Sequence, residues 1–99
     1  MWKVLVAERF YKDLEKTLSG ISKDERKLIL EKLDELANEL HMTAYPLHKF
    51  DIRKVRGAKH VEIRVRLGRY RAVYQVYKDR KEIILVAFFR RDDDSYKRL

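Results

Sequence analysis

The chain has 99 residues, enough for one small domain with a single hydrophobic core and too few for two. Hydrophobic residues make up 45% and charged residues 40%, with a formal net charge of +8, so a folded and basic protein is expected. Cysteine is absent, which excludes disulfides and thiolate metal sites and favours a reducing compartment. No apolar run is long enough to span a membrane and no signal-peptide pattern is present. We therefore expect one cytoplasmic domain over residues 1–99.

The positive charge is concentrated in the second half of the chain. Residues 1–46 carry eight Lys/Arg and nine Asp/Glu, a net charge of −1, whereas residues 47–99 carry sixteen and seven, a net charge of +9. A surface charged only for solubility would mix the two signs throughout. The asymmetry indicates that the second half attracts a polyanion.

The first half predicts a short strand and two amphipathic helices. The strand covers Trp2 to Val6, and the first helix runs from Glu8 to about Leu18. Ser22 and Glu25 form a capping box for a second helix, which continues to about residue 40. Two such helices joined by a short link make a helical hairpin that must pack on something. Its predicted apolar stripes are Phe10, Tyr11, Leu14 and Leu18, then Leu28, Ile29, Leu33, Leu36, Ala37 and Leu40.

The second half predicts a sheet. After a connector at residues 41–50, Asp51–Arg56 is expected as an edge strand, and Val61–Leu67 pairs with Tyr70–Tyr77 in a tight hairpin. Glu82–Phe89 contains a continuous apolar run, typical of a central strand buried on both faces. Arg90–Leu99 is a polar tail. The order βααββββ indicates an α+β fold, with the N-terminal strand and helical hairpin packed on a small twisted antiparallel sheet.

The stretch from Val61 to Leu67 alternates strictly between apolar and charged residues. This period places the apolar side chains in the core and Glu62, Arg64 and Arg66 on the opposite face. Additional arginines follow immediately in the turn and the next strand. Guanidinium groups hold phosphate in a bidentate manner, so this face is expected to bind phosphate rather than to pack.

Other catalytic chemistry has no support in the sequence. The three histidines lack a ligand-like spacing, the glycines form no phosphate-binding loop, and no serine is paired with a histidine. We expect no metal and no cofactor. The strand tyrosines are expected to pack in the core. Tyr96 lies in the polar tail, where it either anchors the tail to the sheet or acts in function.

Arginines and one carboxylate remain as candidates for chemistry. In RNA cleavage the 2′-hydroxyl attacks the neighbouring phosphorus, and converging arginines would stabilise the added negative charge. Arginine is a poor general base because its pKa exceeds about 12. Glu62 is the acidic side chain predicted on the arginine face, so it is a candidate base, although strand carboxylates among arginines more often form salt bridges. The arginines that could converge are Arg64, Arg66, Arg69, Arg71, Arg90 and Arg91.

These residues resemble the RelE/ParE toxin superfamily over nearly the whole chain. The matching segments are Lys54–Gly57, Val61–Val65, Arg69–Val76 and Arg90–Arg91 followed by Tyr96. The resemblance implies two helices packed on a twisted antiparallel sheet. It implies one of two activities, because RelE-like members cut mRNA in the decoding site of the ribosome, whereas ParE-like members inhibit DNA gyrase.

The resemblance also implies roles for individual residues. Glu62 departs from the RelE pattern, which has a lysine at this position, and Phe89 precedes Arg90 without the late histidine that other branches use. The implied catalytic residues are Arg64, Arg71, Tyr96 and Arg90 (or Arg91), and the implied RNA contact is Arg56. From the arginine face itself, Arg66 and Arg69 are further expected RNA contacts, and Glu62 remains a possible catalytic residue.

The arginines and the tail tyrosine together favour the RelE-like branch. The sequence then predicts a toxin that cleaves mRNA on the ribosome without a metal, and whose partners are the ribosome, mRNA and a small acidic antitoxin wrapped around it. Operator DNA would be bound only through the antitoxin complex, and no membrane is involved. The alternatives are a non-catalytic gyrase inhibitor that binds through the helical hairpin and tail, and an inactive homologue that binds antitoxin in operon repression.

Overall fold

The computed structural model describes residues 1–55 and 60–92. Within these ranges it contains the expected order of elements, two helices and five strands in a βααββββ arrangement, which confirms the α+β fold. The elements are β1 (Lys3–Val6), α1 (Glu8–Ser19), α2 (Lys23–Met42), β2 (Ile52–Lys54), β3 (Val61–Leu67), β4 (Tyr70–Tyr77) and β5 (Glu82–Arg90). Neither helix is long and apolar enough to cross a membrane, within the part of the chain described.

The five strands form one sheet in the order β1-β5-β4-β3-β2. The pairs β2–β3, β3–β4 and β4–β5 are antiparallel, as expected, but β1 runs parallel to β5. The sheet is therefore mixed: β2 to β5 form the expected antiparallel part, and β1, whose direction the sequence did not predict, lies parallel at its edge. The reason is topological, because two helices separate β1 from the other strands and side-chain alternation carries no information on strand direction.

The helices bury one side against the sheet. Phe10 of α1 and Ile29, Leu36 and Leu40 of α2 are buried, which confirms the main stripe. Tyr11 and Leu28 were also assigned to the stripes, but their exposed fractions are 59% and 55%. Each follows or precedes a buried neighbour, and one step along a helix rotates a side chain by about 100°, which moves it to the rim of the packed face.

The cap of α2 forms only half of the predicted capping box. The Ser22 hydroxyl accepts a hydrogen bond from the backbone N–H of Glu25 at 3.2 Å. The Glu25 carboxylate accepts from the Tyr70 hydroxyl at 2.8 Å instead of returning to the cap. Tyr70 also stacks on Phe88, with ring centroids 5.5 Å apart. This contact connects the start of α2 to the β3–β4 hairpin.

The core lies between the helices and the inner face of the sheet. Ile63, Val65 and Leu67 point into it, as the alternation in β3 predicts, and Val61 packs at its margin. Tyr74 is fully buried, and its hydroxyl donates to the Ala44 carbonyl at 2.6 Å. Burial raises the pKa of this hydroxyl, so it remains a hydrogen-bond donor.

A β-bulge in β5 changes which side chains face the core. Ala87 pairs with Val73 and Leu85 pairs with Tyr74, so Val86 has no partner in β4. The alternation shifts at this point. Ile83, Leu85 and Phe88 pack on the inner face, whereas Ala87 and Phe89 pack with Val73 on the outer face. Apolar side chains therefore lie on both faces of β5, as its continuous apolar run predicts.

Removal of the Tyr74 hydroxyl should destabilise the fold. In Tyr74→Phe the buried Ala44 carbonyl loses its donor, and an unsatisfied buried group costs about 1–3 kcal/mol. We expect the free energy of unfolding in urea to fall by that amount. Tyr11→Phe is the matched control, since Tyr11 is exposed, and it should change stability by less than about 0.5 kcal/mol. Equal effects of the two substitutions would contradict the assigned role of Tyr74.

Candidate functional site

A pocket lined by arginines lies on the outer face of β2, β3 and β4. The register places Arg53 opposite Arg64 and Arg66 opposite Arg71, and paired residues in antiparallel strands point to the same face. With Asp51, these four arginines line a cavity of about 180 Å³. The convergence of Arg64, Arg66 and Arg71 matches the expectation from the alternating pattern.

Arg71 is held in place by the hairpin turn. Its Nη1 atom donates to the carbonyl oxygens of Gly68 and Tyr70, at 2.8 Å each. Gly68 has a φ of 63°, a conformation that glycine adopts without strain, and it opens the two-residue turn between β3 and β4. The turn thus provides the acceptors that fix the guanidinium before any ligand arrives.

The pocket retains a strong positive charge. Burial, and then repulsion from Arg66, Arg91 and Arg64, lowers the pKa of Arg71, while Asp51 opposes this shift. Arginine nevertheless stays charged at neutral pH. Asp51 lies 4.0 Å from Arg66 in an exposed ion pair, and pairs of this kind are weak. The site is therefore suited to an anion that accepts several hydrogen bonds.

The two arginines after β5 lie in different places. Arg90 pairs with Tyr70, so its side chain belongs to the inner face, and its Nε lies 3.7 Å from Asp92. Arg91 donates its backbone N–H to the Arg69 carbonyl at 2.8 Å, and its charge acts on Arg71. Of the two, Arg91 is the one whose charge contributes to lowering the pKa of Arg71, and neither lines the arginine pocket.

A second cavity adjoins the arginine pocket at the hairpin turn. Its volume is about 440 Å³, and Arg66 lines both cavities. Arg90 reaches this second cavity but does not line the first. The second cavity is lined by Arg66, Gly68, Arg69, Arg90, Arg91 and Asp92.

Glu62 lies on the same outer face, beside the arginine pocket. It was expected either as a general base or as a salt-bridge partner of arginine. Among the residues that the structure describes, no arginine or lysine nitrogen lies within 4.0 Å of its carboxylate. Gln75, directly opposite on β4, donates to Glu62 at 2.7 Å. Among the described residues the partner of Glu62 is therefore an amide and not an arginine, because the register places Gln75 across from it.

Some candidate residues lie outside the described ranges, and others were missed. Arg56 and Tyr96 are outside the described residues. Arg53 was missed, although extending the period of two to β2 would have placed it on the arginine face. Gln75 was missed because a neutral amide in a strand gives no signal of its own. Tyr70 and Tyr74 are buried in the core, as expected, whereas Tyr77 is half-buried and donates to Gln75 on the outer face.

A metal site is not evident in the structure. Residues 1–55 and 60–92 contain no group of three or more His, Asp or Glu side chains that could hold an ion.

Comparison with known proteins assigns the chain to a class of toxins. A family model described as the ParE toxin of the type II toxin–antitoxin system parDE matches residues 4–95. A relative named as toxin RelE1, from Methanocaldococcus jannaschii, is 38% identical over 68 residues, which cover 69% of this chain and 73% of that protein. The chain therefore belongs to the RelE/ParE family of toxins of type II toxin–antitoxin systems.

Solved structures of relatives agree with this assignment. The RelE–RelB complex from Pyrococcus horikoshii matches with a TM-score of 0.67 and 26% identity, over 92% of this chain and 96% of that one. The RelB–RelE antitoxin–toxin complex from Methanococcus jannaschii matches with a TM-score of 0.61 and 29% identity, over 88% and 89%. Both relatives are toxins whose structures contain an antitoxin.

Loss of the Arg71 side-chain charge should weaken binding to single-stranded RNA. Arg71→Gln removes one held guanidinium, so the slope of log K against log salt concentration should become shallower by about 0.7, the value for one phosphate contact on a single strand. Fluorescence anisotropy with a labelled RNA oligonucleotide measures this slope. Lys16→Gln on α1 makes the same change in charge on another element and should leave the slope unchanged. Equal slopes for Arg71→Gln and the wild type would contradict phosphate binding in the pocket.

Proposed function

We propose that the protein is a RelE-type toxin, an endoribonuclease that cleaves mRNA in the decoding site of the translating ribosome. The observation that carries this proposal is the pocket of arginines on the outer face, with Arg71 held by the carbonyls of Gly68 in the turn and Tyr70 at the start of β4. A site of this kind fits a transition state that gains negative charge on phosphorus.

The proposed reaction is a transesterification. The 2′-oxygen of the mRNA forms a bond to the neighbouring phosphorus, and the bond from phosphorus to the 5′-oxygen breaks. The products are a 2′,3′-cyclic phosphate and a 5′-hydroxyl. The intermediate phosphorane carries more negative charge than the starting diester, so fixed donors stabilise it preferentially. Because the Gly68 and Tyr70 carbonyls already orient Arg71, little reorganisation is needed when this charge develops.

The other arginines take supporting roles in the proposal. Arg64 and Arg66 bind the scissile phosphate, and Arg91 rather than Arg90 is the arginine after β5 that acts beside Arg71. Arg69 and Arg90 contact the RNA near the hairpin turn. Tyr96 and Arg56 keep the roles that the family resemblance implies, in activating the 2′-hydroxyl or stacking on a base and in contacting RNA.

The proposed partners follow from the relatives and from the surface. The structures from P. horikoshii and M. jannaschii contain a RelB antitoxin, and we extend this to a cognate antitoxin of the present chain. An acidic antitoxin complements the arginine face and would compete with RNA for it. Operator DNA would be bound only through the toxin–antitoxin complex.

A second candidate function is inhibition of DNA gyrase. The observation that favours it is the description of the matching family model, which names ParE toxins. Non-catalytic inhibition does not require a phosphate pocket with a fixed arginine. The two candidates therefore differ in their dependence on Arg71. An inactive homologue that serves only operon repression would show neither activity.

Cleavage in a cell-free translation reaction distinguishes these functions. With purified protein, the 5′ ends of an mRNA should map to codon-phased positions only when ribosomes are present. Arg71→Ala should lower the cleavage rate by about 10²–10³-fold, because it removes one fixed donor to the developing charge. Lys16→Gln should cleave as the wild type does. Intact mRNA together with gyrase-linked DNA breaks would contradict the proposal and support the second candidate.

A further inference from the structure

Two hydrogen bonds link three side chains across the outer face beside the arginine pocket. Gln75 Nε2 donates to Glu62 Oε2 at 2.7 Å, and the Tyr77 hydroxyl donates to Gln75 Oε1 at 2.7 Å. The Tyr77 ring is itself held, with the Arg80 guanidinium 4.4 Å from its centroid and the His60 ring 5.5 Å away. Gln75 thus orients the carboxylate of Glu62, and Tyr77 orients Gln75.

The direction of these hydrogen bonds follows from the chemistry of the groups. An ionised carboxylate can only accept, so the amide of Gln75 must present its NH₂ to Glu62. The amide oxygen then faces Tyr77, whose hydroxyl must donate. Oε2 of Glu62 is engaged in this chain, and no side chain within residues 1–55 and 60–92 donates a hydrogen bond to Oε1. None of the three side chains needs to reorient for Oε1 to accept a proton.

We propose that Glu62 is the general base of the cleavage reaction, and that Gln75 and Tyr77 are positioning residues which orient its carboxylate. This inference rests on the proposed function. Glu62 and Arg64 lie on the same face of β3, two residues apart. At about 3.3 Å per residue, their backbone positions are separated by about 6.6 Å. A sugar attached to a phosphate bound at Arg64 would lie in the interval between them, where its 2′-hydroxyl is within reach of Oε1.

The proton and bond changes balance in this arrangement. Glu62 Oε1 accepts the proton of the 2′-hydroxyl while the 2′-oxygen bonds to phosphorus. The bond from phosphorus to the 5′-oxygen breaks, and the leaving oxygen takes a proton from water. Glu62 later returns its proton to solvent. Arg71 stabilises the phosphorane throughout, and no metal or other reactant is required.

The position of Glu62 also determines the polarity of the bound RNA. In-line attack requires the leaving 5′-oxygen to be opposite the attacking 2′-oxygen. Since Glu62 lies on one side of the arginine pocket and the hairpin turn on the other, the leaving oxygen points toward the turn. The nucleotide on the 3′ side of the cut then extends to the second cavity, where Arg69 and Arg90 would bind its phosphate.

Single-turnover cleavage on ribosomes programmed with a defined mRNA tests the base. Glu62→Gln retains the shape and a hydrogen-bonding group, and it should lower the rate by about 10²–10⁴-fold, the usual contribution of a general base. Binding to the programmed ribosome should change less than twofold. Gln75→Ala should lower the rate by about tenfold through misplacement of the carboxylate. Glu31→Gln, the same substitution at an exposed position of α2, is the matched control and should cleave as the wild type does.

The pH–rate profile separates proton transfer from a structural effect. The wild type should show an ascending limb on the acid side that is absent in Glu62→Gln, whereas Gln75→Ala should keep the limb at a lower rate. Other ionisable groups lie on this face of the described strands and could also change the rate with pH. The acid limb of the wild type must therefore be compared with that of each variant. The other groups are Arg53, Arg64, Arg66, Arg71, Tyr77 and Glu82, with His60 just before β3.

The outcomes distinguish this inference from the proposed function. If Arg71→Ala is inactive and Glu62→Gln cleaves at the wild-type rate, the ribonuclease assignment stands and the base assignment is overturned. If the wild-type protein does not cleave mRNA, both are overturned.

Modified RNA substrates test the polarity of the bound RNA. They are used with the wild-type protein, so the result does not depend on whether a variant folds. A neutral methylphosphonate at the phosphate on the 3′ side of the cut should slow cleavage, and the same change on the 5′ side should slow it less. The reverse order would overturn the assigned polarity and, with it, the place of Glu62 in the site.

Discussion

The site depends on the tight turn that connects β3 to β4. Gly68 adopts a positive φ there, so the two strands join through two residues and their register is determined by the turn. That register places Arg66 opposite Arg71 on the outer face. The same turn supplies one of the two carbonyls that hold the Arg71 guanidinium. A shift by one residue would turn these arginines toward the core, so fold and site share one constraint.

The inner face explains how so much positive charge is tolerated at this place. Tyr70 is packed on Phe88 and bonded to Glu25, so the hairpin is attached firmly to α2. Tyr74 is anchored to the Ala44 carbonyl in the same layer. Burial of these side chains supplies the free energy that offsets repulsion among guanidinium groups on the opposite face. An anion bound in the pocket would relieve that repulsion, which is why binding and catalysis are expected to depend on salt.

Much of this arrangement could be predicted because it follows from the period of two. The alternation in β3 gave the inward residues and the arginine face, and the apolar run in β5 gave a strand buried on both faces. The bulge at Val86 could not be predicted. In a continuous apolar run, inward and outward residues look alike, so a shift in their alternation leaves no signal in the sequence. The bulge shifts the alternation in β5 by one residue, which places Arg90 on the inner face. The parallel pairing of β1 and the hydrogen bond from Gln75 to Glu62 depend on tertiary neighbours, which the sequence does not specify locally.

The central claim is that the arginine face cleaves RNA by attack of the 2′-hydroxyl. The most direct test uses an mRNA with a single 2′-deoxynucleotide at the position of the cut, on programmed ribosomes with wild-type protein. The account predicts that this mRNA is bound but remains intact, while the unmodified mRNA yields a 2′,3′-cyclic phosphate detectable by mass spectrometry. Cleavage of the deoxy-substituted mRNA at the same bond and rate would contradict the account.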